Sequence, residues 1–259
     1  MLDDILISKQ REVLEAKHKL PIEDLKARVS HHIAERSLRE ALERSKSLAL
    51  IAELKRKSPS QGMLRERFDP VSLGQSLEAA GATALSVLTD EYYFEGNIEF
   101  MRDVKQFTEI PVLRKDFIID PYQVYESVFY GADAVLLIVR LLPEELLINC
   151  LQAAEALSVD ALVEVHSEAD LKAALACGST MIGINHRDLN TMKINTSLSE
   201  ALVPKIPSGK LIIAESGIQN AEDVQRMKRL GVHGLLIGEA LMTAADPAMK
   251  AKQLFSGIW

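Results

Sequence analysis

The sequence has few of the features that mark secreted, membrane-spanning or nucleic-acid-binding proteins. Cys150 and Cys177 are its only cysteines, too few for a disulfide framework, and no Cys/His cluster has zinc-site spacing. No apolar run reaches the ~18 residues of a membrane span, and the charged residues 1–20 do not resemble a signal peptide. Its 30 basic and 37 acidic residues give a net charge of −7, which offers phosphate backbones no overall attraction. We therefore expect a cytoplasmic globular protein with no metal, membrane or nucleic-acid partner.

The sequence does contain many short apolar segments, and apolar residues make up 47% of it, enough for a buried core. Eight segments rich in Val, Ile, Leu or Ala are predicted to be parallel strands buried on both faces, because such strands have near-continuous apolar runs. They are Leu48–Leu54, Ala84–Leu88, Pro111–Leu113, Ala134–Val139, Ala161–Val165, Met181–Ile184, Leu211–Ala214 and Gly234–Ile237.

Helical patterns, with apolar residues three and four apart, lie between these strands. They are Val71–Ala80, Ile98–Phe107, Tyr122–Tyr130, Pro143–Leu157, Ala169–Cys177 and Ala221–Leu230. Asn97, Ser167 and Asn220 are predicted N-caps, and Pro121 and Pro143 suit a first helical turn. Four helices end at glycines that recur about 50 residues apart and suit left-handed C-caps. These are Gly81, Gly131, Gly178 and Gly231.

Eight strands that alternate with helices over about 250 residues predict an α/β protein of the (β/α)8 TIM barrel type. We expect residues 1–259 to form a single barrel domain, with residues 1–47 as an N-terminal helical extension. Within the extension, helices are predicted over 3–19 and 37–46. The extension either caps the amino face of the barrel or covers the active-site face. An open doubly wound sheet is the alternative fold, and the absence of a G-x-G-x-x-G turn after the first strand counts against it.

Charged side chains interrupt the apolar segments where the strands end, which is where barrels place catalytic residues. Lys55 and Lys115 follow strands one and three, while Glu53, Glu164 and Glu215 belong to strands one, five and seven. A lone buried charge would cost several kcal/mol, so a cluster in which the two signs neutralise each other is plausible. The alternative for each residue is an ordinary ion pair at the barrel rim.

Two glycine-bearing turns predict a phosphate site. Ser216–Gly217 follows strand seven and Gly238–Glu239 follows strand eight, the positions where many barrels bind phosphate through backbone N–H groups. The loop Ser58–Gly62 after strand one either offers hydroxyl groups to an anion or is only a turn.

These segments together resemble the indole-3-glycerol-phosphate synthase family over essentially the whole chain. The resemblance rests on IAELKRKSPSQG, SVLTD, LRKDFIID, ADAVLLIV, LVEVH, IGINHRDL, IAESGI and LIGEALM, which occur in this order. It implies a carbon–carbon lyase of tryptophan biosynthesis that converts 1-(2-carboxyphenylamino)-1-deoxyribulose 5-phosphate to indole-3-glycerol phosphate, CO2 and water without metal or organic cofactor. His186 departs from the family, which usually has a small polar residue after the Asn185 position.

The resemblance also implies roles for individual residues. The catalytic set is Glu53, Lys55, Lys115, Glu164, Asn185, Glu215 and Ser216. The substrate-binding set is Ser58, Pro59, Phe94, Phe117, Leu136, Arg187, Gly217, Ile237, Gly238 and Glu239. Lys115 is implied as the general acid at the substrate ketone and Glu164 as the carboxylate that assists dehydration, with Lys55 a further candidate for proton transfer. For a lysine in this role we expect a lowered pKa, caused by a neighbouring cation and partial burial.

Other functions remain open on the sequence. Lys55 or Lys115 could form a Schiff base in an aldolase, and a catalytically silent barrel could bind a phosphorylated metabolite as a sensor. We expect a phosphorylated small-molecule substrate and a monomer or weak homodimer, with contact to other tryptophan-pathway enzymes left open.

Overall fold

Eight parallel strands close into a barrel in the computed structural model, which describes residues 2–259, so Met1 of the extension lies outside the described residues. Each strand pairs with its neighbours in the sequence, and the first strand closes the barrel against the last. The strands are β1 Ala49–Leu54, β2 Ala84–Leu88, β3 Val112–Lys115, β4 Ala134–Ile138, β5 Asp160–Val165, β6 Met181–Asn185, β7 Leu211–Glu215 and β8 Gly234–Ile237. The predicted (β/α)8 barrel is confirmed.

Helices surround the barrel and precede it. They are α1 Leu2–Lys19, α2 Ile22–Val29, α3 Leu38–Arg44, α4 Pro70–Ala79, α5 Glu91–Phe94, α6 Ile98–Phe107, α7 Pro121–Phe129, α8 Glu144–Ala156, α9 Glu168–Ala176, α10 Leu198–Leu202, α11 Ala221–Arg229, α12 Glu239–Met242 and α13 Pro247–Leu254. The N-caps Asn97, Ser167 and Asn220 are confirmed, since each side chain accepts a backbone N–H of its helix. Pro143 stands one position earlier than predicted, immediately before α8. Among the described residues, no helix has the length and apolar character that a membrane span needs.

Three strands extend further than the apolar runs predicted. Lys115, Asn185 and Glu215 are polar, yet they belong to the ladder, where Lys115 is in register with Leu88 and Asn185 with Glu215. The apolar pattern therefore underestimates the length of these strands, because backbone pairing continues to residues whose side chains are polar. The backbone of these three residues is therefore held in place by the strands of the barrel. The prediction also missed α2 and a two-stranded hairpin formed by Lys57–Ser58 and Gly62–Met63.

Alternate strand residues divide the core into two layers, as side-chain alternation requires. One layer packs inside the barrel and includes Ile51, Leu113, Leu162 and Ile213. The other packs between the strands and the helices, with residues such as Leu50, Leu85, Val163 and Ile212. Both layers are closed to water, so only the ends of the barrel are available for a site.

The N-terminal extension contacts both ends of the barrel, which resolves the alternative that the sequence left open. Leu38 and Leu42 of α3 join the inner core layer at the amino end, where Leu42 lies against Gly234 at the start of β8. Ile5 of α1 joins the same layer at the opposite end, beside Phe117. The extension therefore covers the amino end of the barrel with α3 and the carboxyl end with α1.

Candidate active site

A cavity opens at the carboxyl ends of the strands, with about 1040 Å³ of empty space including its mouth. Sixteen of the seventeen predicted site residues line it. They are Glu53, Lys55, Ser58, Pro59, Phe94, Lys115, Phe117, Glu164, Asn185, Arg187, Glu215, Ser216, Gly217, Ile237, Gly238 and Glu239. The structure thus brings together residues that are far apart in the sequence, since the ends of all eight strands meet at this face.

The structure does not bring Leu136 to the cavity. Leu136 is fully buried in the barrel interior, and Ile138, two residues further along the same face of β4, lines the cavity instead. The sequence reasoning also missed further lining residues: Ile5, Leu88, Asp90, Asp116, Leu189, Met192 and Ile218. Alternation along β4 would have pointed to Ile138, whereas nothing in the pattern of α1 assigns Ile5 to this cavity.

Two lysines and three glutamates form a charge cluster at the floor of the cavity. The Lys115 ammonium donates to Glu164 at 3.2 Å and lies 3.9 Å from Glu215. Lys55 forms an ion pair with Glu53. His166 is close behind, with Nε2 3.2 Å from Glu164 Oε1. The predicted neutralising cluster is present, and Glu53, Glu164 and Glu215 are all buried.

The expected lowering of the Lys115 pKa is wrong. Burial favours a lower value, but the carboxyl groups of Glu164, Glu215 and Glu53 outweigh it and raise the pKa above the ordinary 10.5. The expectation assumed a neighbouring cation, and the ammonium groups face carboxylates instead. Lys115 is therefore a charged ammonium at neutral pH.

The pKa values of two adjacent carboxyl groups are shifted in opposite directions. Burial and the negative charge of Glu164 raise the pKa of Glu215 well above 4.5. Burial would also raise that of Glu164, but the cation of Lys115 reverses the effect and lowers its pKa. The two pKa shifts run in opposite directions, so Glu215 is the better proton donor and Glu164 the better proton acceptor of the pair.

The raised pKa of Glu215 predicts a pH-dependent stability. The folded state holds a proton that the unfolded chain releases near pH 4.5, so this contribution is fully present below pH 4.5 and is lost as pH rises through the folded pKa. We expect the unfolding free energy of wild type to fall relative to Glu215→Gln between about pH 5 and 8, by at most about 1.4 kcal/mol per pH unit. Urea unfolding of both proteins at about pH 5 and pH 8 measures this difference. An equal change in the unfolding free energy of the two proteins would contradict the prediction.

Two glycines make room for the carboxylates. A Cβ at Gly183 of β6 would collide with Glu215 Oε1, and one at Gly238 would collide with Glu53 Oε2. The side chains of β7 and β1 therefore lie across their neighbouring strands, which only glycine permits at this distance. This explains the glycine within the apolar segment of β6.

The two glycine-bearing turns face the cavity, as predicted. Ser216 and Gly217 are consecutive left-handed residues, with φ of 66° and 76°. Successive N–H groups in turns of this kind form concave anion-binding sites. Gly238 and Glu239 begin the short helix α12 at the next strand, and Arg187 donates to Glu239 at 3.0 Å.

Gly217 offers a test of this turn. A Cβ there would lie 2.7 Å from Ile194 Cγ2 and 2.8 Å from Thr196 Cγ2, in addition to the cost of the left-handed backbone. We expect Gly217→Ala to destabilise the protein by more than the ~1–2 kcal/mol of that backbone cost alone. Gly231→Ala is the matched control, because its φ is 82° and nothing lies within 4 Å of the added Cβ. Equal unfolding midpoints for the two variants would show that residues 194–196 move aside without cost, which would contradict the prediction.

Aromatic and aliphatic side chains form the opposite, apolar wall. The rings of Phe94 and Phe117 are 6.1 Å apart, and Leu88 and Ile138 line the same cavity. An apolar wall beside a charged floor suits a ligand with an aromatic ring at one end and charged groups at the other.

A buried lysine ties α1 to the rim of the cavity. Lys9 is only 1% exposed, and its ammonium lies 3.0 Å from Asp90 and 2.8 Å from Asp116. Asp116 also accepts from Arg114 at 3.1 Å. Burial raises the pKa of the Asp116 carboxyl, but Lys9 and Arg114 lower it below its ordinary range, so Asp116 is a charged carboxylate at neutral pH. This network holds Ile5 over the cavity.

A closed barrel with an acid, a base and a cation at the carboxyl ends of its strands defines an enzyme of the acid–base class. The family model described as indole-3-glycerol phosphate synthase matches residues 2–254. The chain belongs to the indole-3-glycerol phosphate synthase family, and the synthase function and carbon–carbon lyase class predicted from the sequence are confirmed.

Curated relatives are similar in sequence to this chain over nearly its whole length. An indole-3-glycerol phosphate synthase of Campylobacter jejuni strain 81-176 is 42% identical over 256 residues, which cover 98% of this chain and 99% of the relative. That of Halalkalibacterium halodurans is 44% identical over 259 residues, covering 99% and 97%. Among solved structures, a 3-hexulose-6-phosphate synthase matches with a TM-score of 0.64 and 14% identity, over 82% of this chain and 100% of that chain. The last match shows the shared barrel fold alone.

Proposed function

We propose that the chain closes the indole ring of 1-(2-carboxyphenylamino)-1-deoxyribulose 5-phosphate, with release of CO2 and water, to form indole-3-glycerol phosphate. The observation that carries the proposal is the Lys115 ammonium, which stands between Glu164 and Glu215 at the floor of a cavity with one apolar wall. The substrate has matching parts: an aromatic ring, a ketone and a phosphate. The same residues 1–259 act as one domain in this proposal, since Ile5 and the strand ends share the cavity wall.

Lys115 acts at the first bond-forming step. The ring carbon that bears the carboxylate attacks the substrate ketone, and negative charge develops on the ketone oxygen. A charged ammonium at that oxygen stabilises the alkoxide and donates the proton that makes it a hydroxyl group. Departure of CO2 then restores the aromatic ring, and the apolar wall of Phe94 and Phe117 favours this loss because it keeps water from the carboxylate.

Glu215 and Glu164 act in the dehydration. The protonated Glu215 gives its proton to the departing hydroxyl group, which leaves as water. The ionised Glu164 takes the proton that the neighbouring carbon must release as the double bond forms. The opposite pKa shifts of the two carboxyl groups support this division of acid and base.

The remaining lining residues bind the substrate in this proposal. The N–H groups of Ser216–Gly217 and Gly238–Glu239 hold the phosphate, and Lys55, kept in place by Glu53, adds a positive charge near it. Asn185 accepts the backbone N–H of Arg187 at 3.0 Å, which fixes the loop after β6. Ser58 and Pro59 close the side of the cavity after β1.

Conversion of the substrate to a fluorescent indole product tests the proposal. Wild type should release one CO2 for each indole formed, and borohydride should trap no adduct with the sugar phosphate. A trapped adduct on Lys55 or Lys115 would favour the Schiff-base aldolase, which needs an uncharged amine that the raised Lys115 pKa disfavours. Binding without turnover would favour the sensor.

Three expectations stay predictions: the oligomeric state, contact with other tryptophan-pathway enzymes, and the location in the cell. Sedimentation should report a monomer or a weak homodimer, and pull-down with other tryptophan-pathway enzymes would reveal contact with them. Fractionation of cells should place the protein in the cytoplasm.

A further inference from the structure

His186 is buried behind the cavity wall and joins three segments. It is 1% exposed and does not line the cavity, although its neighbours Asn185 and Arg187 do. Its Nδ1 lies 2.8 Å from the carbonyl oxygen of Ser216, in the turn after β7. Its Nε2 lies 2.7 Å from the hydroxyl of Ser199, in α10.

The partners determine which nitrogen carries the proton. A carbonyl oxygen only accepts, so Nδ1 must be the donor to Ser216. Burial lowers the pKa of His186, so the ring is neutral at pH 7 and Nε2 accepts from the Ser199 hydroxyl. Arg226 and Asp223 of α11 are the charged groups that also act on this ring, and they do so with opposite signs.

The bond to Ser216 orients the next N–H group. The C=O of Ser216 and the N–H of Gly217 belong to one trans peptide, so they point in opposite directions. Because the carbonyl is held by a residue behind the wall, the Gly217 N–H points to the cavity side. Among residues 2–259, this N–H has no acceptor in the protein. Ser216 is not a glycine yet has a left-handed φ of 66°, a strained conformation that persists only where the surrounding structure supports it.

We propose that His186 is a positioning residue for the phosphate site: its Nδ1–H holds the Ser216 carbonyl, and this turns the Gly217 N–H toward the phosphate of the substrate. The assignment of a phosphate to this turn rests on the proposed function. His186 itself touches no reacting atom, so it sets the affinity for phosphate and not the rate of the chemical step.

Two substitutions separate the two ring contacts. The amide nitrogen of asparagine stands where Nδ1 stands, so His186→Asn retains a donor for Ser216 and loses only the contact with Ser199. The amide of glutamine reaches the place of Nε2, so His186→Gln retains Ser199 and loses the bond to Ser216. A role in packing alone would not distinguish them in this order, because glutamine is closer to histidine in size.

The first measurement is the dissociation constant of inorganic phosphate, followed at the Gly217 amide by NMR, with steady-state kinetics beside it. We expect His186→Gln to raise this constant and the KM about five- to tenfold, the loss of one hydrogen bond, with kcat within about threefold. His186→Asn should remain near wild type in both. An unchanged phosphate constant in His186→Gln, an equal loss in His186→Asn, or a Gly217 amide that does not respond to phosphate would overturn the proposal.

Phosphate binding is measured without turnover, so the test is independent of the reaction. A wild-type protein that binds phosphate at Gly217 but forms no indole would end the proposed function and leave the role of His186 standing. Normal turnover with no response of the Gly217 amide to phosphate would overturn the role of His186 and leave the proposed function standing.

Discussion

Lys115→Ala should lower kcat by about 10³-fold or more while the barrel still folds. The variant loses both the cation that meets the developing alkoxide and the proton that this oxygen needs, and each effect alone is worth about 10²-fold or more. The measurement is the rate of indole formation at saturating substrate, with circular dichroism to show that the fold is retained.

Lys172→Ala is the matched control. Lys172 is an exposed lysine of α9 that pairs with Glu168 at 3.2 Å and does not line the cavity. It should leave kcat unchanged, so that loss of a lysine as such is excluded as the cause. If Lys115→Ala retained a tenth of the wild-type kcat, the ammonium could not be the acid of the first step.

Lys9→Ala should lower the free energy of unfolding by about 3–5 kcal/mol, the usual cost of removing one partner from a buried ion pair. The substitution removes the ammonium from between the buried carboxylates of Asp90 and Asp116, and Asp116 keeps its ion pair with Arg114. Urea unfolding measures the loss. We also expect a raised KM, because α1 carries Ile5 over the cavity.

Two variants define the cause. Lys17→Ala, also on α1, removes an ion pair with Asp120 whose side chains are 37% and 32% exposed, and should cost less than about 1 kcal/mol. Lys9→Met keeps the apolar stem and removes only the charge, so it should be nearly as unstable as Lys9→Ala. A stable Lys9→Met would mean that packing of the stem, and not the ion pairs, holds α1 in place.

The location of the proposed catalytic residues was predictable because of parallel topology. Once eight strands run in one direction, Glu53, Lys115, Glu164 and Glu215 must meet at the same face, wherever they lie along the chain. Leu136 shows the limit of this reasoning, since the depth of a residue along β4 depends on the stagger between strands. The family resemblance supplied the type of reaction, and the comparisons confirmed it.

The local pattern of apolar residues, caps and glycines was sufficient for the barrel, the alternation of its eight strands with helices, and the face that holds the site. These features depend on neighbours within a few turns of chain, which a sequence displays directly. This local pattern did not reveal the opposite pKa shifts of Glu164 and Glu215, the placement of α1 over the cavity through Lys9, or the contact of His186 with Ser216. Each depends on distances of about 3–4 Å between residues distant in sequence, and on burial that weakens or strengthens their charges. Only the folded chain brings these groups together.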